Sequence, residues 1–327
     1  MPSAPASPAD APAPAAPRST DPRTVGRVGV PAWVWPVAAA AGVLALVLTA
    51  WLTGVSAARA LSDPGPITRW GVPLATAVSH TAMALTIGAT ILAAGILPPH
   101  AAGAERRHRS GAQRRADAAA GPLPEHPAFA RVMQVAAWAA GTWTVAALAV
   151  GILSYSDLAG IPVTAGQGFT DGLLAYAASI SVGRAWFWVT VIAAVVTTLV
   201  IAVRSHSGLF WTGILAMLAI VPLALIGHAA GGDDHYGAVN SIGLHLIGVV
   251  TWVGGLLALA AISSTLTGPN GAQGHGASTR RQGPAPLLHT VVSRYSLLAG
   301  LGLVTVVLSG IVNAALRMEH LLSLIHI

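Results

Sequence analysis

Seven apolar runs dominate the chain, each close to the roughly 20 residues that a helix needs to cross a bilayer core. They lie at 32–54, 72–97, 129–153, 185–203, 209–227, 241–262 and 294–314. Inside lipid the backbone must satisfy its own hydrogen bonds, which leaves helices or closed barrels, and runs of this length are helical. The pattern predicts an all-α fold, a polytopic transmembrane helix bundle of about seven spans. Composition agrees: 54% of the 327 residues are hydrophobic and 9% are charged, too few charges to solvate a soluble domain of this size. Gly and Pro within the runs (Pro73, Gly88, Gly141, Pro222, Gly254) are normal for membrane helices.

The basic residues set the orientation. All 17 are arginine. Arg18, Arg23 and Arg27 lie in the tail, Arg106, Arg107, Arg109, Arg114 and Arg115 in one long loop, and Arg280 and Arg281 in another. With Arg131, Arg204 and Arg294 these make 13 on one side, against Arg59, Arg69, Arg184 and Arg317 on the other. Arginine excess marks the cytoplasmic face, so the N-terminus is expected inside. The net charge of +6 is thereby explained without nucleic acid. Because lysine is missing, a phosphate-binding P-loop and a retinal Schiff base are both excluded, and no nucleotide partner is expected. The lack of cysteine excludes disulfides, thiolate metal sites and thiol catalysis.

Residues 1–30 read as a disordered Pro/Ala-rich cytoplasmic tail, and 31–321 as one multi-span membrane domain. The long basic loops at 98–128 and 263–288 read as cytoplasmic linkers, with anionic head groups as the other reading. Residues 322–327 resemble the translation of a transposon end used in sequencing libraries, so they are read as a scar and the natural chain is expected to continue.

Candidate chemistry concentrates in one stretch, Gly227 to Ala261, which holds His228, His235, His245, Asp233 and Asp234 ahead of Trp252, Gly254 and Gly255. A histidine inside a span is costly unless it has a partner or a task. By the arginine topology, His228, His245 and His80 all fall on or below the outer face, at depths of about 6 Å for His245 and about 12 Å for His80. Met83 follows His80 by three positions, on the same helical face. Imidazole with thioether suits a soft ion such as cuprous copper. His80, Met83, His228 and His245 are the candidate metal ligands, with His235, Asp233 and Asp234 as weaker ones that gather cations at the entrance. Each has a plainer reading. His228 is a helix-end residue, Met83 core filler, His235 and His320 loop residues, and the glycines near Trp252 close packing. Arg294 and Tyr295 read as an interfacial pair, and Asn313 as a cap at the outer end of the last span, with a carbonyl ligand as its other reading.

The runs Gly227-His228-Ala229, Leu244-His245-Leu246 and Trp252-Val253-Gly254-Gly255-Leu256 resemble the copper resistance protein D (CopD) family. So do Ser293-Arg294-Tyr295-Ser296 and the run Ser309-Gly310-Ile311-Val312-Asn313-Ala314. The similarity is clearest over 225–318; upstream helices, His80 apart, fit the family only in general plan. The resemblance implies a multi-pass protein of the bacterial cytoplasmic membrane that binds copper ions and moves them inward, with no enzymatic chemistry. Its implied partners are the lipid bilayer, a periplasmic copper-binding protein and cytochrome c oxidase assembly factors. Some family members carry a second domain similar to the oxidase assembly factor CtaG, which a continuing chain would supply. The chain departs from a copper importer in having no Met-rich outer segment. Two rival readings stand beside this one: a haem-binding electron-transfer protein with axial histidines, and a non-transporting oxidase assembly scaffold.

Overall fold

A computed structural model of the chain describes residues 30–100, 125–226, 235–267 and 286–325. The protein is an all-α polytopic bundle, with seven helices among the described residues long and apolar enough to cross a membrane. In chain order the elements are α1 (Val34–Leu52), α2 (Pro66–Ile91, continued by a π-helical turn at Leu92–Ile96), α3 (Pro127–Ala159) and α4 (Gln167–Ser179). They are followed by α5 (Ser181–Ala202), α6 (His206–Leu218), α7 (Ile220–Leu225), α8 (His235–Thr267) and α9 (Pro286–Ile325). The fifth span is α6 and α7 together, interrupted at Ala219 ahead of Pro222, whose missing N–H and ring both disfavour an unbroken helix.

Helix boundaries follow local chemistry. Gly65 takes a left-handed φ of 87° and Pro66 occupies the first helical turn, where its fixed φ and missing N–H cost nothing, so α2 starts six residues before its apolar run. His126 caps α3: its Nδ1 accepts the Ala128 N–H at 3.1 Å, and burial pushes the imidazole below its ordinary pKa, keeping the ring neutral for that role. In the connection ahead of α2, Asp63 takes the Gly65 N–H at 3.0 Å and pairs with Arg69. The Gly65 bond and then Arg69 hold its carboxyl below the usual range. Arg59 pairs with Asp157 at 2.8 Å, tying the α1–α2 connection to the C-terminal end of α3.

α4 is not among the expected apolar runs. Its 13 residues are too short to span and lie in the connection between the third and fourth spans. It is held by aromatic contacts, with Tyr155 of α3 edge-on to Phe169 at 5.0 Å and tilted against Tyr176 at 5.6 Å. Asn313 is a second difference. α9 runs on past it to Ile325, so it lies inside the helix and caps nothing.

In lipid the hydrophobic effect gives helices little reason to associate, and van der Waals fit between small residues takes over. α8 is built for that. A Cβ on Gly254 would strike the Ala84 carbonyl, and one on Gly88 would strike the Gly254 backbone, so α2 and α8 touch backbone to backbone. On another face of α8, a Cβ on Gly248 would lie 2.9 Å from the Gly302 oxygen of α9. Gly255 accommodates the ring of Tyr295, whose hydroxyl donates to the Trp252 carbonyl. Tyr295 is therefore a buried lock between α8 and α9, rather than the interfacial residue its position indicates. α2, α3 and α8 form the centre of the bundle, while α1 lies outside it with Ala50 as its one buried residue.

Candidate functional site

The candidate ligands fall on two of the central helices. His245 is half-buried on α8, six residues into the Val239–Leu266 span. One turn before it Ser241 donates to the Ser309 carbonyl of α9 at 2.7 Å, and His245 Nδ1 lies 3.3 Å from Ser309 Oγ. Ser309 Oγ has one hydrogen, and its shortest contact, 2.6 Å, is to the Thr305 carbonyl. The hydroxyl thus gives its proton to Thr305 and can only accept from His245. That network assigns the Nδ1–H tautomer and leaves Nε2 with a lone pair that no described residue engages. Such outer support is how proteins orient a ligating imidazole.

His80 is on α2 and exposed at the flank of the bundle, its ring stacked on Trp186 of α5 at 6.2 Å and 22° between planes. Met83, one turn on, is 2% exposed and belongs to the core. The expected shared face of α2 therefore carries an imidazole at its rim and a thioether inside.

Relative heights follow from helix register. Gly254 sits between Ala84 and Gly88, level with about residue 86 of α2. α2 and α8 run in the same direction, so His245 is level with about residue 77, and His80 lies three residues, about 4.5 Å, deeper. The two imidazoles occupy neighbouring levels of touching helices but lean on different partners, Trp186 for one and Ser309 for the other.

α2 and α3 are antiparallel, fixed by Thr68 Oγ1 against Ser156 Oγ at 2.7 Å and by Gly71 under Leu153. This register brings Trp143 level with about residue 81. Ser79 Oγ and Trp143 Nε1 are both buried without a hydrogen-bond partner among the described residues. A buried polar atom left unpaired costs about 1–3 kcal/mol, and two of them flank the His80–Met83 level.

Among the described residues, no three His, Asp or Glu side chains gather closely enough to hold a metal ion. His228, Asp233 and Asp234 lie outside the described residues. His235 opens α8 rather than standing in a loop, and its backbone alone is described. Residues that sequence reasoning did not single out are Ser241, Trp186 and Trp143, and Ser309 entered only as the first residue of a family-like run, with no role at the site. Only Ser241 had a local signal, four positions before His245 on one helical face.

A model of the copper resistance protein D-like family, N-terminal domain, matches residues 63–238. The match covers α2 through α7 and reaches the start of α8, the part of the chain whose residues carry the least of the visible resemblance. No curated protein and no solved structure matches the chain. With seven apolar helices and more than half its length under that family model, this chain belongs to the copper resistance protein D-like family of membrane proteins.

Proposed function

We propose that the protein carries copper ions across the bacterial cytoplasmic membrane, from the outer face inward, with its N-terminus in the cytoplasm. His228, His235, Asp233 and Asp234 collect the ion at the outer end of the fifth and sixth spans. Nε2 of His245 takes it below the surface, and His80 with Met83 receives it about 4.5 Å deeper on the adjoining helix. Neutral imidazole and thioether are soft donors, and stripping a copper ion of water is tolerable where such donors replace it. The flexible thioether of Met83 can swing from the core to meet the ion as it passes.

The observation that carries this reading is the His245–Ser309–Thr305 chain, which spends Nδ1 on support and leaves Nε2 open to an ion in a bundle of the copper resistance protein D-like family. A monovalent ion moving inward gains about 2.3 kcal/mol per 100 mV of membrane potential, which supplies a drive without nucleotide. A periplasmic copper-binding protein is the proposed donor, and cytochrome oxidase assembly factors are the proposed recipients.

An axial haem pair needs two imidazoles facing each other. The rings of His80 and His245 lie against Trp186 and Ser309, and copper is the preferred reading. The test is copper accumulation in cells expressing His80→Ala/His245→Ala. Accumulation is expected to drop to that of cells lacking the protein, with membrane insertion unchanged. Unaltered accumulation contradicts the assignment.

A further inference from the structure

A cavity of about 600 Å³ opens in the other half of the bundle, away from His80 and His245. Its floor is the end of α2 with the π-helical turn, and its walls are α6 and α9; Thr251 of α8 closes the back. α6 and α9 flank it without packing closely on one another, and the apolar side chains Phe210, Leu297 and Leu301 along its walls are exposed, as a lipid-facing flank requires. The lining is almost wholly apolar, with one charged group, Arg294.

The position of that charge is the informative part. α6 and α9 both run away from the arginine-rich face, so Arg294 of α9 and Phe210 of α6 mark the shallow end of the groove, and Leu301 and Met217 the deep end. From Leu209 to Met217 is about 12 Å of helix, a little under half of a ~30 Å hydrocarbon core. The groove is therefore one leaflet deep, charged where a head group lies and apolar where tails lie. Arg294 has no ion-pair partner among the described residues. A guanidinium at membrane depth calls for an anion, and its planar fork matches phosphate in two hydrogen bonds. The cavity volume is in the range of ligand-binding pockets.

We propose that this groove is a binding site for one anionic phospholipid of the cytoplasmic leaflet. Arg294 holds the head-group phosphate, and an acyl chain lies between α6 and α9. The π-helical turn contributes by presenting Gly95, which leaves open space where a side chain would stand. The occupied groove joins α6 to α9, two walls that the protein alone leaves apart. The proposal does not depend on copper transport.

The test uses the full chain purified in detergent, with binding of phosphatidylglycerol, phosphatidylcholine and inorganic phosphate followed by native mass spectrometry and by thermal shift. The wild type is expected to retain one phosphatidylglycerol per chain, to bind phosphatidylcholine at least tenfold more weakly and to gain nothing from inorganic phosphate. Arg294→Gln should abolish the preference for the anionic lipid. Ile214→Trp, which narrows the groove and leaves Arg294 in place, should weaken retention of both lipids. Equal binding of both lipids overturns the proposal and points to a neutral apolar occupant. Anionic-lipid binding that survives both substitutions also overturns it, locating the lipid on the basic loops. So does a response to inorganic phosphate equal to that of the lipid.

Discussion

Replacing Gly254 by Ala places one carbon where the backbones of α2 and α8 meet. The new Cβ would fall on the Ala84 carbonyl, a backbone atom that no rotamer change can move. Ordinary carbon contacts lie at about 3.5–4.0 Å, so the helices must part by on the order of 1 Å. Overpacking of this kind costs about 1–3 kcal/mol. It acts against a helix-propensity gain of about 0.5–1 kcal/mol for Gly→Ala, so any net loss understates the clash. The net cost centres on about 1.3 kcal/mol, and at roughly 2–4 °C per kcal/mol for a chain of this size the expected fall in Tm is roughly 3–5 °C. Intrinsic fluorescence of the ten tryptophans reads the transition, which suits a chain with no cysteine for thiol-reactive dyes. Gly42 of α1, with nothing within 4 Å of an added Cβ, is the control, and Gly42→Ala should leave Tm unchanged or slightly raised. A Gly254→Ala protein as stable as wild type would refute the reasoning that backbone contact joins these two helices.

Two further outcomes follow from side-chain chemistry. Ser309→Ala removes the acceptor that sets the His245 tautomer, and cuprous-ion affinity in a competition titration should drop about 10–100-fold; an unchanged affinity would show that Ser309 plays no part in orienting the ring. His126, whose pKa is lowered by burial, contributes stability that is full above its unfolded value of 6.5 and is lost as pH falls through that value toward the lower folded one. Asn also caps helices and does not titrate. Between pH 8 and pH 5, then, wild type should lose more Tm than His126→Asn, and parallel curves would contradict the assignment.

The spans were legible because lipid imposes a length and a polarity that local sequence records directly. All seven apolar runs correspond to helices, and Gly65-Pro66 marks where α2 begins more sharply than hydropathy does, since Thr68 and Arg69 dilute the apolar signal there. α4 was illegible for the converse reason. It neither spans nor alternates strongly, and it is held by Tyr155, Phe169 and Tyr176 meeting across separate elements. The site divided along the same line. His80 and His245 were visible as costly residues inside spans. Ser309, 64 positions from His245, and Trp186, far along the chain from His80, become partners only when helices pack. Tyr295 read as interfacial because its neighbour Arg294 is charged, yet the two residues point to opposite tasks, one into α8 and one into the lipid-facing groove.

Copper flux into liposomes carrying the purified protein tests the central claim most directly. A cuprous probe trapped inside should report uptake that depends on the protein and rises with an inside-negative potential. The His80→Ala/His245→Ala protein, reconstituted to the same level, should be silent. Protein-dependent flux that persists in the double variant, or no flux from wild type at all, would contradict the account.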